Sequence, residues 1–479
     1  MSASTSRPTP VTAVEATPDR VVEHIAGPRV PVDDALVERL RGVCAQVDTG
    51  DDDRADTSRD WWPLAIRWAL DGAVPARAAA VARPTDAHQV AAVLAACHDA
   101  RVPVTAMAGR SGVCGSSVPL FGGVALDMCG VSGVDDVDDS SLLVRARPGT
   151  FGPDFEAALQ SQGVTLGHWP QSMDLSTVGG WIACRGAGQY STRYGKIEDM
   201  VVGLQVSLAD GRTVRTGGTG PRAATGPDLT QLFVGSEGVL GVVTEALLRV
   251  HPFPVSQARR AFGFASFDDG LEVCRNVLRR GATPAVLRLY DQTESKRNFD
   301  VDDRCVLIVL DEADEEFLGP TFAVVDAESA RAHGSPLDVA LVERWLGHRN
   351  DVSALAPLYR AGVVVDTIEV AARWAVLPSL YRQCVDALST LDGTLAASAH
   401  QSHSYTDGAC LYFTFGGRNP AGDNANSGGT SKQSDGEWAE RYYRAAWDAV
   451  MGIVQAHGAA ISHHHGIGIN RARFMSPAL

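Results

Sequence analysis

Three consecutive histidines near the end of this 479-residue sequence could carry chemistry. They are His463, His464 and His465, within ISHHHGIGIN (461–470). A metal site is a weak interpretation, because adjacent side chains of an extended segment point to opposite faces and no Asp, Glu or His set at ligand spacing supports the run. We therefore expect no metal. Surface exposure is a second interpretation, but the apolar AAI before the run and the glycine turn after it favour an acid–base cluster.

The strand-like stretch ACLYFTF holds the tyrosine that such a cluster would serve. Strand alternation places Tyr412 on the opposite face from Leu411 and Phe413. A lone tyrosine in a strand is most often a core or interface residue. A phenol can also give or take a proton when its neighbours lower its pKa, and a histidine cluster could do that.

Three stretches rich in glycine and hydroxyl side chains precede these residues: AMAGRSGVCGSSVP (106–119), QSMDLSTVGGWIACRGAGQYSTRYGKIEDMV (171–201) and VGSEGVLGVVTEALLRV (234–250). The first follows a strand, and its small residues would let backbone N–H groups approach a pyrophosphate closely. It is not a dinucleotide fingerprint, because it lacks GxGxxG and a strand rather than a helix follows. Each stretch alone could be a structural loop or corner; the three together are far more specific.

The surrounding pattern predicts an α+β protein with more than one domain, since 479 residues exceed a single hydrophobic core. Residues 1–76 form an N-terminal segment in which 1–20 are disordered and 48–60 are a loop. Residues 77–254 hold a βαβ unit, whose helix starts at Pro84 and Thr85, followed mainly by strands.

The second half of the chain has a different pattern. Residues 255–440 predict an antiparallel sheet flanked by helices, with helices over 324–333 and 338–347. A polar loop over 418–436 is expected at the surface as a mobile lid. The last segment, 441–479, contains most of an amphipathic helix (438–458) and the histidines.

Composition excludes several classes of protein. The net charge of −15 argues against nucleic acid or an anionic membrane as the main partner. No apolar run is long enough for a transmembrane helix, and the N-terminus lacks a signal peptide. Nine cysteines without a CxxC pair indicate free thiols and a cytoplasmic location. Peripheral membrane contact through the helix over 438–458 stays open, although core packing is the default, and so does a homodimer.

The order of the three loops resembles the vanillyl-alcohol-oxidase (PCMH-type) FAD-binding superfamily. The stretches STVGGW, RYGKIEDMV, GSEGVLGVVTEA, LRLYD, ACLYFTF and SHHHGIG are most similar to alkyl-dihydroxyacetonephosphate synthases and their bacterial FAD-linked oxidase relatives. The resemblance covers roughly residues 80–475. It implies a two-domain fold in which FAD lies between an FAD-binding domain (77–254) and an antiparallel-sheet substrate cap domain (255–440).

The resemblance also implies roles for single residues. FAD would be bound noncovalently, because the pyrophosphate loop has no histidine and Cys114 lies beyond its core. The residues implied at FAD are Ala106, Met107, Ala108, Gly109, Arg110, Ser111, Gly112, His168, Gln171, Ser172, Asp174, Ser176, Thr177, Gly179, Gly180, Cys184, Arg185, Gly186, Ala187, Tyr190, Glu237, Gly238, Leu240, Gly241, Val242 and Val243. The catalytic residues implied are Tyr412, His463, His464, His465 and Arg288.

The synthases exchange an acyl group for a fatty alcohol on glycerone phosphate, without net redox change, to make an ether lipid precursor. In that scheme the flavin N5 traps the substrate as a covalent adduct, the histidine cluster removes a proton and Tyr412 assists. An FAD-linked oxidase or dehydrogenase of a 2-hydroxy acid or alcohol is the alternative, and a flavin-binding protein without catalysis is a third reading. The substrate is therefore expected to be a small or lipid-like molecule.

Two departures from the family pattern stand out. The arginine that binds phosphate in the synthases, about fourteen positions before the counterpart of Glu369, is replaced by Leu355, with Arg349 and Arg360 on either side. The family also continues with a further helix and closing segment, so a truncated C-terminus is expected after RARFMSPAL.

Overall fold

The computed structural model describes residues 14–218, 220–351, 355–420 and 432–478. Of the predicted disordered segment 1–20, residues 1–13 lie outside this part, and Pro18–Arg20 forms a 3₁₀ turn. Most of the predicted lid over 418–436 also lies outside the described residues.

The N-terminal segment is more ordered than its composition predicts. Its elements are β1 (Val22–Glu23), α1 (Asp34–Arg41), β2 (Gln46–Asp48), α2 (Asp51–Asp56), α3 (Pro63–Ala69) and β3 (Ala73–Val74). The prediction of a loop over 48–60 is wrong, because α2 occupies its centre. Three aspartates fill the first turn of this helix, where negative charge is stabilised by the helix dipole.

The first half of the FAD-binding region is built around a mixed sheet. Its elements are β4 (Ala80–Arg83), α4 (Ala87–Ala100), β5 (Val104–Met107), β6 (Val124–Asp127), β7 (Leu143–Ala146), α5 (Gly152–Gln160) and β8 (Val164–Thr165). Strands β2, β4, β6 and β5 are neighbours in that order, and β6 pairs in parallel with both β4 and β5. Helix α4 begins later than predicted, because the Asp86 side chain accepts hydrogen bonds from two helix amides as its N-cap.

The second half adds short helices and an antiparallel sheet. Its elements are α6 (Val178–Cys184), α7 (Ser191–Tyr194), α8 (Ile197–Met200), β9 (Val201–Ser207), β10 (Thr213–Gly217), α9 (Thr230–Phe233), β11 (Val242–Arg249) and β12 (His251–Pro252). Strands β10, β9, β11 and β7 form the sheet in that order, and β9 and β10 pair antiparallel as a hairpin.

The cap region contains a seven-stranded antiparallel sheet. Its elements are β13 (Ser256–Phe264), α10 (Phe267–Arg279), β14 (Val286–Tyr290), α11 (Gln292–Phe299), β15 (Cys305–Ala313), α12 (Glu315–Arg331), β16 (Ser335–Leu337), α13 (Ala340–His348), α14 (Leu355–Arg360), β17 (Val364–Arg373), α15 (Leu377–Ser389), β18 (Thr394–Ser404) and β19 (Gly408–Gly417). The strand order is β16-β13-β15-β14-β18-β19-β17. After the cap follow α16 (Lys432–Ala456), α17 (Gly468–Ala472) and α18 (Met475–Ala478).

One predicted helix of this region needs correction, and two of its strands were missed. The helix predicted over 324–333 begins nine residues earlier, at Glu315, with two glutamates in its first turn and Pro320 inside it. Strands β13 and β18 were not predicted, because each mixes polar with apolar residues and lacks a continuous hydrophobic run.

The cap sheet has two chemically different faces. Apolar side chains of alternate residues pack with α10, α15 and α16 into the largest core of the protein, among them Leu289, Ile368, Leu411 and Phe413. The intervening residues place Tyr290, His400, Tyr412 and Glu369 side by side, because each is the register partner of the next across β14, β18, β19 and β17. Helix α7 of the FAD-binding region lies against β14 and β18.

Helix α16 supports the sheet from its apolar side. Tyr443, Trp447 and Val450 are buried in the cap core. The apolar face of this helix is therefore already covered, which favours the core-packing interpretation over membrane contact. None of the described helices has the length and hydropathy needed to span a bilayer. All nine cysteines are free thiols.

We expect Phe413→Ala to lower the free energy of unfolding by about 3–5 kcal/mol, since it removes a fully buried ring from this core. Phe317→Ala is the matched control: its ring is 63% exposed, and a change within about 0.5 kcal/mol is expected. Urea unfolding followed by circular dichroism measures both. A loss for Phe413→Ala as small as that of the control would contradict the assignment of faces.

Candidate active site

The histidine turn is held by one buried carboxylate. Glu369 on β17 has no exposed surface, and it accepts hydrogen bonds from the backbone N–H of His463 at 2.5 Å and of His465 at 2.9 Å. The Ser462 hydroxyl donates to the same carboxylate at 2.9 Å. Arg471, also fully buried, forms an ion pair with it at 3.0 Å. Burial alone would raise the pKa of Glu369, but the charge of Arg471, together with the histidine turn and its hydrogen bond from the His463 N–H, outweighs burial and the pKa lies at about 2.

These contacts bend the segment and bring the three imidazoles together. The ring centroids of His463 and His464 are 5.0 Å apart, and those of His464 and His465 are 4.4 Å apart. The expectation that neighbouring side chains diverge was wrong, because it assumed an extended backbone. Gly466 and Gly468 adopt positive φ, and a Cβ at Gly466 would collide with the carboxylate of Glu237.

Six side chains form a closed ring of hydrogen bonds that includes Tyr412. The Tyr412 hydroxyl lies 3.0 Å from His403 Nε2 and 3.0 Å from His464 Nε2. The remaining contacts are 2.9 Å from His464 Nδ1 to His463 Nδ1, 3.0 Å from His463 Nε2 to the Tyr405 hydroxyl, 3.5 Å from that hydroxyl to Ser191 Oγ, and 2.7 Å from Ser191 Oγ to His403 Nδ1.

In a neutral ring of this kind, all the hydrogen bonds can run in either of two opposite directions around the ring. Each neutral imidazole offers one N–H and one lone pair, and each hydroxyl can donate once while accepting. In one sense Tyr412 donates to His464 and accepts from His403, and in the other sense both bonds are reversed. A proton taken up at one member can therefore be passed to its neighbours without any side chain changing its position.

Burial keeps the imidazoles neutral. Burial lowers the pKa of His463 to about 3 and the pKa of His465 to about 4, and it lowers the pKa of His403 and His464 well below the usual range. Burial also raises the pKa of Tyr412 well above 10. The expectation that the histidines lower the pKa of Tyr412 is thus wrong, because uncharged imidazoles supply no positive charge to stabilise a phenolate.

Arg288 and His403 complete the polar face. The guanidinium carbon of Arg288 lies 5.8 Å from the Tyr412 ring centroid, so the predicted Arg288 is placed at the cluster. His403 occupies a bulge of β18 with a φ of +53°, which turns its ring toward Tyr412. The conformation is costly for a residue other than glycine, and it is retained where a contact requires it.

The first glycine-rich loop has free hydrogen-bond donors. The backbone N–H groups of Arg110, Ser111 and Gly112 donate to no acceptor within the described chain. Arg110 has a φ of +54°, and its side chain turns away to pair with Asp56. Asp60, which was not predicted, accepts from the N–H of Gly115 at 2.9 Å and thereby shapes the loop. Such a concave set of unpaired amides suits a pyrophosphate.

The second loop encloses a buried histidine. His168 has no exposed surface, and neither ring nitrogen has a hydrogen-bond partner among the described residues. Its ring packs on Trp181 of α6 at 4.7 Å. Thr177 caps α6, and a Cβ at Gly180 would meet only the Thr177 hydroxyl, so space is open beside this helix. The unpaired imidazole and the open space both fit a polar planar ligand such as a flavin.

The other predicted residues of this loop lie in the turn before α6 and in the segment after it. Gln171 and Asp174 are exposed, whereas Ser176 accepts a hydrogen bond from the Trp181 indole at 2.7 Å. After the helix, Arg185 ends α6 with a φ of +61° and pairs with Glu198. The rest of this set, namely Ser172, Gly179, Cys184, Gly186, Ala187 and Tyr190, is buried or half-buried nearby.

The third loop joins the FAD loops to the histidine turn. The Glu237 carboxylate accepts from the N–H of Ile467 at 3.1 Å and of Gly468 at 3.3 Å. A Cβ at Gly238 would lie 3.6 Å from the Cβ of Ala106, so this loop also contacts the first one. Further along, Leu240 is 44% exposed, whereas Val242 is buried in the core beside α4. Contact of these residues with FAD stays a prediction.

Four potential metal ligands meet at the histidine turn. Ligand atoms of Glu369, Cys410, His463 and His464 all lie within 4.8 Å of one another. The Glu369 oxygens already accept from Arg471 and from the amides of the turn, and the ring nitrogens of His463 and His464 are hydrogen-bonded to Tyr405, to Tyr412 and to each other. Because a metal ion would need these lone pairs, the arrangement favours proton transfer.

Several residues of the site were missed by sequence reasoning. They are Ser191, Lys196, Glu294, His400, His403, Tyr405 and Arg471. His400, His403 and Tyr405 stand in the stretch AHQSHSY, and its polar alternation beside a predicted strand was the signal available. Arg349 and Arg360 take other partners: Arg349 lies among Trp169, Tyr190 and Trp345, and Arg360 faces Glu15.

Comparison with known families agrees with this arrangement. A family model described as an FAD binding domain matches residues 78–217, and one described as the C-terminal domain of FAD linked oxidases matches residues 254–478. A solved structure of alkyldihydroxyacetonephosphate synthase superposes with a TM-score of 0.78 at 23% identity, covering 95% of this chain and 85% of that one. A p-cresol methylhydroxylase structure has a TM-score of 0.71 at 14% identity, covering 93% and 92%.

The sequence relatives include both synthases and FAD-linked oxidoreductases or oxidases. The alkyldihydroxyacetonephosphate synthase of Dictyostelium discoideum is 28% identical over an alignment of 440 residues, and the match covers 82% of this chain and 67% of that protein. An uncharacterized FAD-linked oxidoreductase of Escherichia coli (strain K12) is 28% identical over 386 residues, covering 78% and 77%. The glycolate oxidase subunit of Bacillus subtilis (strain 168) is 33% identical over 213 residues, covering 44% and 45%.

The two matched domains, the antiparallel cap sheet and the unpaired donors of the FAD loops lead to one conclusion. This chain is a member of the PCMH-type FAD-binding superfamily, an FAD-dependent enzyme with an FAD-linked oxidase C-terminal domain.

Proposed function

We propose that this protein is an FAD-dependent enzyme of the alkyldihydroxyacetonephosphate synthase type, which exchanges an acyl group for a fatty alcohol on a small or lipid-like substrate. The observation that carries the proposal is the Tyr412 hydroxyl held between two neutral imidazoles, His403 and His464. A neutral imidazole can accept a proton from carbon, and a protonated phenol can return one to a leaving oxygen. Such a pair suits a reaction in which protons move twice without net oxidation.

FAD would accept hydrogen bonds from the free amides of the first loop and would lie in the open space beside α6, near His168. When bound, the flavin supplies an electrophilic, redox-active ring. The protein contributes the polar face of the cap sheet and the histidine turn. There Tyr412, His464 and His463 lie within hydrogen-bonding distance of one another in sequence and can exchange protons. We also propose that the attachment is noncovalent, in which case denaturation should release the flavin into solution.

A second candidate is an FAD-linked oxidase or dehydrogenase of a 2-hydroxy acid or alcohol. One observation favours it: Leu355, at the start of α14, offers no cation where the synthases bind phosphate, and Arg360 in the same helix faces Glu15. In this reaction the same histidine pair would take the hydroxyl proton of the substrate. The two candidates share the acid–base cluster and differ in whether electrons leave the substrate.

We expect Tyr412→Phe and His464→Ala to lower turnover by at least about 100-fold, because each removes a member of the proton-transfer ring. Both variants should retain FAD, since neither side chain belongs to the FAD loops. Tyr442→Phe is the matched control, because it removes another buried hydroxyl, bonded to Thr394 at 2.8 Å, from the opposite side of the cap sheet. Turnover is measured with acyl-dihydroxyacetone phosphate and a fatty alcohol, and separately with 2-hydroxy acids under anaerobic conditions.

The two assays separate the candidates. Ether product without net flavin reduction supports the synthase type, whereas lasting flavin bleaching by a 2-hydroxy acid supports the oxidase and overturns the first proposal. Full activity of both Tyr412→Phe and His464→Ala in whichever reaction is found would overturn the site assignment.

The pH dependence of kcat/KM should lack the inflection of an ordinary histidine near pH 6.5. The pKa of His463 is about 3 and that of His465 about 4, so these imidazoles stay in the neutral form that accepts protons until the pH falls below about 5. The raised pKa of Tyr412 likewise predicts no loss of the phenol proton up to about pH 9. A flat profile between about pH 5.5 and 8 is expected, and a bell centred near neutrality would contradict it.

A further inference from the structure

Arg288 occupies a distinct place on the polar face of the cap sheet. It lies on β14, and its Nη2 donates to His400 Nε2 at 2.6 Å. The guanidinium carbon is 5.4 Å from the ring centroid of Tyr290 and 5.8 Å from that of Tyr412. The cation is therefore held beside the ring of Tyr412.

The charge of Arg288 has no counter-charge in the described parts of the chain. No carboxylate lies within ion-pair distance, and its Nε is buried without a hydrogen-bond partner. The neighbouring cations are all paired: Arg471 with Glu369, Arg297 with Glu294, and Lys196 with Glu198. A half-buried guanidinium with unused donors is costly unless an anion approaches it.

The contact between Arg288 and His400 determines how His400 is protonated. A guanidinium can only donate, so His400 Nε2 must accept and the ring proton must sit on Nδ1. That proton is donated to Glu294, whose Oε2 lies 2.8 Å from His400 Nδ1. Burial, followed by the charge of Arg288, lowers the pKa of His400 to about 4, in agreement with a neutral ring.

Glu294 is itself firmly held. It is 1% exposed, and it accepts from Thr414 Oγ1 at 2.9 Å and from Ser398 Oγ at 3.2 Å. Both hydroxyls stand on the same polar face as His400, one on β19 and one on β18. Glu294, His400 and Arg288 thus form a chain of hydrogen bonds. Glu294 orients the His400 ring, and His400 in turn orients the Arg288 guanidinium.

We propose that Arg288 binds an oxyanion of the substrate, a carboxylate or a phosphate, and that Glu294 and His400 are positioning residues that hold it there. The proposal deepens the proposed function, because it places an anionic group of the substrate next to Tyr412. It also offers a cation in a chain that has Leu355 where the synthases have their phosphate-binding arginine. Carboxylate and phosphate share the bidentate geometry that a guanidinium recognises.

The direct test is anion binding to the FAD-loaded protein, with inorganic phosphate and acetate as probes at constant ionic strength. Neither probe can be turned over, and binding is followed by the change in flavin absorbance. We expect at least one probe to bind the wild-type protein, and Arg288→Gln to raise its Kd by tenfold or more. The probe that binds identifies the source of the oxyanion. Arg382→Gln, which breaks a surface pair with Asp268, is the matched control and should leave the Kd unchanged.

The role of His400 is tested by a double-mutant cycle. His400→Ala should weaken anion binding by threefold or more in the wild-type background and have no further effect in Arg288→Gln, because His400 acts through Arg288. His400→Gln should recover part of the loss, since its amide oxygen can still accept from the guanidinium. A merely structural role would instead make the two losses additive and leave His400→Gln as weak as His400→Ala.

Three results would overturn the proposal: failure of both probes to bind the wild-type protein, an unchanged Kd in Arg288→Gln, or additive losses in the cycle. The measurement is independent of the reaction catalysed. Because neither probe is turned over, an error in the proposed function would show in the turnover assays and not here.

Discussion

The site depends on one buried ion pair. Glu369 and Arg471 are both without exposed surface, and their contact joins β17 of the cap sheet to the C-terminal helix α17. The same carboxylate accepts from the amides of the histidine turn, so the turn is bent around a fixed negative charge. Breaking a buried pair by removing one partner typically costs about 3–5 kcal/mol, which explains how the contact can hold the turn in its bent conformation.

The histidines are neutral although a carboxylate lies beside them. Glu369 favours the charged form of His463 and His465, but its own charge is paired with that of Arg471. Burial then keeps the histidine rings uncharged, and the ring of hydrogen bonds through Tyr412 satisfies their polar atoms. The one cation left without a carboxylate, among the described residues of this face, is Arg288. The site thus combines a neutral proton-transfer ring with a single positive charge, a combination suited to an anionic substrate.

The loops of the FAD-binding region are joined to the same turn. Glu237 accepts from the amides of Ile467 and Gly468, and the carbonyl of Cys114 accepts from the N–H of Asn470 at 3.0 Å. The histidine turn is therefore wedged between the first loop, the third loop and the cap sheet. This connection places the acid–base residues beside the FAD site and makes their positions depend on both domains.

Much of the fold could be predicted from local patterns. The strands around Val286–Tyr290 and Gly408–Gly417 have strong hydrophobic alternation, and the resemblance of the glycine-rich loops led to FAD, which the family models confirm. What could not be predicted depends on long-range contacts. Glu369 reads as an ordinary strand residue until the register places it beside Tyr412, and Arg471 lies 102 positions away. Likewise, the direction of the Tyr412 pKa follows from burial, which the sequence of one strand does not reveal.

The central claim is that burial keeps His403, His463 and His464, which are hydrogen-bonded in a ring with Tyr412, in the neutral form. It is tested most directly by ¹⁵N NMR of the FAD-loaded protein labelled at histidine, recorded at about pH 6, where an ordinary histidine is mostly charged. Single His→Gln variants would assign the signals of His403, His463 and His464. The account predicts for each ring one protonated and one unprotonated nitrogen. An imidazolium signal from any of the three at that pH would contradict it.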